Sequence, residues 1–156
     1  GDDVAFLLAA NPGSPPLPLT KVASGGELAR TMLALRLVLT EGPATLVFDE
    51  VDAGIGGEAA VAVAGALAQL GQRHQVLVVT HLAQVAAAAQ RQIKVRKTVK
   101  SKQTFAEAYE LGEQERVGEI ARMLSGGMAE ESALNYASEL LKASNERSNG
   151  QGRSRR

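Results

Sequence analysis

Ser24-Gly25-Gly26-Glu27, then Phe48-Asp49-Glu50 some twenty residues on, then Val79-Thr80-His81, are the residues whose types and spacing could do chemistry. A Ser-Gly-Gly turn opening a long helix is an anion site. Its glycines let backbone N–H groups approach closely, the helix start adds partial positive charge, and Ser24 offers a hydroxyl. An apolar strand ending in Asp49 and Glu50 sets two carboxylates at a sheet's carboxyl edge, where α/β proteins bind ligands. There Asp49 would hold Mg²⁺, mostly through water, and Glu50 would orient or deprotonate an attacking water. His81 follows the next apolar run directly. Its imidazole could hydrogen-bond a terminal phosphate, and adjacent strands would bring it near Glu50.

Each piece alone has a plainer reading: a helix cap for Ser24, an acidic turn for Asp49 and Glu50, a satisfied surface histidine for His81. All three in order, each at a strand end or helix start, favour phosphate chemistry. A second tetrapeptide, Leu124-Ser125-Gly126-Gly127, is a decoy. No apolar-Asp-Glu strand follows it, and it reads as a glycine stop between two helices. No Gly-x-x-x-x-Gly-Lys-[Ser/Thr] occurs in the chain, so a phosphate-cradling loop must come from another segment.

The elements that must position these residues follow from periodicity and punctuation. Val4 to Ala10 reads as a strand, and Asn11 to Pro18, with four prolines, as a loop. Leu28, Met32, Leu35 and Leu39 recur at helical spacing up to Gly42-Pro43. Leu46 to Phe48 and Val76 to Val79 read as strands buried on both faces, flanking a helix over Ala60 to Leu70 that Gly71 closes. Leu82 to Gln90 is an Ala-rich helix. Alternation from Ile93 to Val99, a turn at Ser101-Lys102-Gln103 and a return from Thr104 to Leu111 predict a hairpin. Two amphipathic helices follow, around Ile120 and around Leu140. The tail from Ala143 has nothing apolar to bury and is expected to be disordered. The organisation expected is one α/β unit over 1–142, mostly parallel sheet flanked by helices with an antiparallel hairpin appended, and a basic tail over 143–156.

Composition narrows the class. A chain of 156 residues suits one core, and with 45% hydrophobic but only 3% aromatic residues that core is Ala, Val and Leu. Seventeen basic residues balance seventeen acidic ones, so any electrostatic footprint is local. Lys94, Arg96, Lys97, Lys100 and Lys102 form one such cluster. It could track a phosphate backbone, although lysines guarding a strand edge are the commoner explanation. Without cysteine there is no disulfide or thiolate site, which fits a cytosolic protein, and no apolar run approaches a membrane span.

Lys21 to Arg30 resembles the signature motif of the RecN family, bacterial SMC-like DNA repair ATPases related to the ATP-binding-cassette fold. Phe48 to Gly57 resembles the family's Walker B strand and D-loop, Val79 to Ala86 its His switch, and Arg116 to Leu124 its last stretch. Ser125 departs from the expected Gly, and the Ser/Arg-rich tail has no counterpart in the pattern. The resemblance implies the C-terminal lobe of a P-loop ATPase head, completed by an N-terminal Walker A segment of the same protein. It further implies ATP and Mg²⁺ sandwiched between two heads of a homodimer, DNA as partner, no membrane, and a cytoplasmic, nucleoid-associated location. Ser24, Gly25, Gly26 and Glu27 would then face nucleotide on the opposite head, with Asp52 near the dimer junction. Asp49, Glu50 and His81 would act on nucleotide in their own head. This chain by itself, without Walker A, is expected to be inactive. Two other readings stay open: a fragment of a transporter nucleotide-binding domain, and a non-catalytic DNA-clamping scaffold.

Overall fold

The computed structural model describes residues 4–9, 12–22, 24–39, 42–100, 103–127 and 130–151. The chain divides into two compact units, Gly1–Thr80 and His81–Arg156. In the first, β1 (Leu7–Leu8) pairs antiparallel with β2 (Leu17–Pro18), followed by α1 (Leu19–Val22) and α2 (Gly25–Val38). β1 is much shorter than the strand expected over Val4 to Ala10, and the proline loop ends by supplying its partner. Pro18 is tolerated because a two-stranded ribbon has only edges.

Next come β3 (Thr45–Phe48), α3 (Gly57–Leu70) and β4 (Gln75–Val78), a strand–helix–strand unit whose strands pair in parallel, Leu46 opposite Val76 and Phe48 opposite Val78. Backbone bonds from Gln75 to Ala44 (2.8 Å) and from Val79 to Phe48 (2.9 Å) extend the ladder at both ends. α3 offers Ala60, Ala64 and Leu67 at helical spacing, all buried, and Gly71 closes it as expected. Leu70 of α3, Leu33 of α2, Leu46 and Phe48 of β3, and Val51 complete the buried apolar set described in this unit.

Burial on both sheet faces is not found. Leu46 and Phe48 are buried, but Val47 is 67% exposed and Val79 62% exposed, with Leu77 also exposed. Among the described residues the strands form three two-stranded sheets, of which only β3–β4 is parallel. The mostly parallel sheet expected from the sequence is therefore present as one strand pair. Apolar continuity in a strand signals a capacity for two-sided burial. Whether both sides are covered depends on surfaces from beyond this unit.

The second unit holds α4 (Ala83–Ala88), the hairpin β5 (Ile93–Lys100) and β6 (Gln103–Glu110), α5 (Glu113–Ser125) and α6 (Glu131–Gln151). The hairpin register runs from Ile93 opposite Glu110 to Lys100 opposite Gln103. Its expected turn at Ser101-Lys102 lies outside the described residues. Ala83, Ala86 and Ala87 of α4, Ile120 and Ala121 of α5 and Ala137 of α6 form the core, where small side chains let helices approach closely. Arg116 ties α5 to the C-terminal end of α4 by donating to the carbonyls of Ala89 (2.7 Å), Gln90 (3.3 Å), Ala86 (3.4 Å) and Ala87 (3.5 Å). Burial lowers its guanidinium pKa, partly opposed by the charge of Glu113.

Gly126 ends α5 in the left-handed conformation (φ 69°), its N–H on Arg122 O, so the decoy tetrapeptide is the helix stop its context predicts. The tail is corrected. α6 continues to Gln151, through residues expected to be disordered from Ala143. A helix once nucleated gains a backbone bond for each residue added, so polar residues can extend it. Residues 152–156, with the remaining tail arginines, lie outside the described set.

Candidate functional site

Ser24 precedes α2 as its N-cap, in extended backbone (φ −64°, ψ 163°). Its hydroxyl oxygen accepts the Glu27 N–H at 3.3 Å, and the Glu27 carboxylate accepts the Ser24 N–H at 2.8 Å. This is a closed capping box, and the Ser-x-x-Glu spacing alone is enough to build it. The backbone and hydroxyl hydrogen bonds of Ser24 hold the Glu27 carboxyl below the usual carboxylate range. The cap reading of Ser24 is thus realised, with Ser24 and Gly25 exposed.

Gly25 and Gly26 then pass directly over the segment that follows β3. A Cβ on Gly25 would lie 2.6 Å from Glu50 Oε2; one on Gly26 would lie 2.9 Å from the Ala53 carbonyl and 3.0 Å from Arg30 Nη1. Gly26 is required here by close approach to backbone, whereas at Gly25 the neighbour is the movable end of the Glu50 side chain. Glu50 itself has φ 58°, a left-handed conformation unusual for a residue with a Cβ. Its N–H is held by Asp49 Oδ1 at 3.0 Å, and its carbonyl accepts the Ala53 N–H at 3.0 Å, closing a tight turn. Asp49 and Glu50 are exposed.

Asp52 is 2% exposed, its carboxylate accepting the Thr80 hydroxyl from the end of β4. In this chain its side chain braces the loop from inside, and a buried carboxylate needs such donors. His81 is exposed and opens the second unit. The structure therefore brings Ser24, Gly25, Gly26, Glu27, Asp49, Glu50 and Asp52 together within the first unit, while His81 belongs to the other.

One residue at this site carries no role in the sequence reading. Arg30 Nη1 donates to the carbonyls of Ala53 (2.9 Å) and Val51 (3.3 Å), tying α2 to the loop. It closes the signature-like stretch, but as a basic residue within a helical turn of Glu27 it looks like any surface position.

Asp49 fits a Mg²⁺ role in one respect. One of its oxygens is engaged by the Glu50 N–H and the side chain faces solvent, and Mg²⁺ takes one or two protein carboxylates and otherwise water and phosphate. Among the described residues no group of three or more His, Asp or Glu side chains gathers as an all-protein metal cage.

In the second unit the basic hairpin is partly neutralised. Lys94 and Arg122 both bond the nearly buried Glu119, Arg122 Nη2 at 2.7 Å, and Arg96 stands opposite Glu107. Lys102 lies outside the described residues. Among those residues no helix is long and apolar enough to cross a membrane.

The first unit is thus a mixed α/β unit in which a helix-start turn is seated on a strand-end acidic pair. No family model matches the chain. Among curated proteins it is similar to DNA repair protein RecN of Deinococcus radiodurans, 54% identical over 139 residues, which is 89% of this chain and 24% of that protein. It is 50% identical over 142 residues to DNA repair protein RecN of Streptomyces coelicolor (90% and 25%) and 48% identical over 144 residues to that of Treponema pallidum (91% and 25%). The chain spans about a quarter of the length of these relatives. By sequence it is a segment of the RecN family.

Proposed function

We propose that this chain is the part of a DNA repair ATPase head that carries the signature turn and the Walker B carboxylates, the C-terminal lobe of an ABC/SMC-type P-loop fold. The observation that carries this reading is the seating of Gly25 on Glu50. Ser24, Gly25 and the acidic pair are exposed on one unit, yet Glu50 already fills the space over Gly25, which leaves no room for a phosphate group between them. One copy cannot hold a phosphate between its own turn and its own carboxylate. A second copy presenting nucleotide to the turn satisfies both, which is the sandwich arrangement.

In that arrangement Glu50 orients and deprotonates the attacking water, and Ser24, Gly25 and Gly26 donate to the terminal phosphate of ATP held by the other head. Glu27 keeps the turn in shape through the capping box. Asp52 braces the loop beside the dimer junction, and His81 hydrogen-bonds the terminal phosphate. Mg²⁺, with Asp49 as its protein ligand, would supply charge neutralisation on the phosphates. The phosphate cradle comes from an N-terminal Walker A segment of the same protein. The exposed apolar face of β3–β4 supports this, because parallel strands are normally covered on both sides. DNA is the macromolecular partner, with the free part of the basic hairpin as a contact, and the location is cytoplasmic.

The test is complementation in the full-length protein. Ser24→Arg places a bulky cation at the turn, so it should bind ATP but neither dimerise with it nor hydrolyse it. Mixed with Glu50→Gln heads it regenerates one composite site with both parts intact, and turnover should return in proportion to mixed dimers. Mixed dimers without any turnover would exclude the shared site. This chain alone should show no turnover above buffer.

A further inference from the structure

The loop after β3 is held from two sides by contacts that the proposed chemistry does not itself use. On the inner side Val51 is fully buried and Asp52 accepts the Thr80 hydroxyl. On the outer side a single nitrogen of Arg30 bridges the carbonyls of Val51 and Ala53 at 3.3 and 2.9 Å. Two carbonyls two residues apart point at one donor only while the chain between them is turned as it is here. The same turn is closed by the Ala53 N–H on the Glu50 carbonyl, and Glu50 stands at its head in left-handed backbone. A side-chain-bearing residue keeps that conformation where its surroundings impose it. Gly26 makes the contact possible, because a Cβ there would crowd both Ala53 O and Arg30 Nη1.

We propose that Arg30 is a positioning residue for hydrolysis, clamping the 51–53 loop to the signature helix so that the catalytic carboxylate is set by the state of the turn. The inference rests on the reading of Glu50 and Ser24 given above and adds a regulatory link to it. α2 begins at the turn that meets the partner's nucleotide, and its Arg30 grips the loop behind the carboxylate acting in its own site. Engagement of the turn is thereby passed, through one guanidinium and two backbone carbonyls, to the other site of the dimer. Lysine would hold the link less well, since an ammonium on a flexible stem is less fixed in place than the nitrogen of a planar guanidinium.

The experiment uses Arg30→Ala and Arg30→Lys in the full-length protein, reading kcat and KM for ATP together with amide hydrogen exchange over residues 49–55. A misplaced catalytic group predicts that kcat falls about tenfold or more in Arg30→Ala. KM should stay within about twofold, since nucleotide binding is untouched. Exchange at Ala53 should quicken, and Arg30→Lys should fall between. Unchanged exchange at 49–55 overturns the clamp whether or not the protein hydrolyses ATP. Faster exchange with wild-type kcat overturns the positioning role. If Arg30→Ala does not fold, a wild-type kcat in Arg30→Lys does the same. A wild type without ATPase activity sinks the functional reading itself, a result that no Arg30 variant can mimic.

Discussion

Glu50 Oε2 occupies the space a side chain on Gly25 would need, 2.6 Å from the position of its Cβ. The Ser24–Gly26 turn and the Glu50 carboxylate are thus in steric register within one unit. The atom in the way is the far end of a flexible side chain, so a methyl group at Gly25 would displace the carboxylate and leave the backbone in place.

Gly25→Ala is therefore expected to separate stability from activity. Alanine at a helix position gains about 0.5–1 kcal/mol over glycine, which offsets the cost of moving Glu50. The melting temperature of the full-length protein should change little, while ATP turnover falls. Wild-type turnover in Gly25→Ala would show that the carboxylate works from a different rotamer.

Glu50→Gln keeps size and hydrogen bonding but removes the base. Hydrolysis should drop by about 10²-fold or more with ATP still bound. A loss of less than about threefold would remove Glu50 from the role of general base.

The left-handed backbone at Glu50 has a separate signature in stability. Glu50→Gly and Glu50→Ala both delete the carboxylate, but only glycine accepts φ 58° without a Cβ penalty. Urea unfolding should find the glycine variant more stable than the alanine variant by about 1 kcal/mol, net of glycine's greater unfolded entropy. Equal stabilities would mean that the turn relaxes in solution.

Glu119 predicts an acid limb for the second unit. Burial pushes its carboxyl up, but hydrogen bonds and charge from Arg122 and Lys94 outweigh that and hold it below the ordinary range. A depressed folded pKa contributes stability that is fully present above the unfolded value of about 4.3 and is lost as pH falls through the folded value. Both tyrosines, Tyr109 and Tyr136, lie in this unit and the chain has no tryptophan, so tyrosine fluorescence reports its unfolding. In Glu119→Gln this part of the acid dependence should vanish. An identical acid limb in the variant would assign it to other carboxylates.

Val47 tests the open sheet face. Val47→Glu alters an exposed position in this chain, so its stability here should stay within about 0.5 kcal/mol. In the full-length protein the same change should weaken assembly of the head and its ATPase activity, because a charge would be buried against the N-terminal segment. A fully active Val47→Glu protein would leave that face without a covering partner.

What the sequence determined by itself is whatever depends on near neighbours along the chain. The Ser24/Glu27 spacing built the capping box, Gly71 and Gly126 ended their helices where glycine predicts, and alternation from Ile93 onward gave the hairpin. The order of turn, acidic pair and histidine was legible too, since each sits at an element end marked by local punctuation. The tertiary structure alone decided which strand faces are covered, that Asp52 is buried against Thr80, that Glu50 adopts φ 58°, and that Arg30 reaches across to the loop. The Asp52–Thr80 and Arg30–loop contacts join residues more than twenty positions apart, and the covering of a strand face depends on what packs against it. A propensity read over a few residues carries no information about which distant group comes to fill the space beside them.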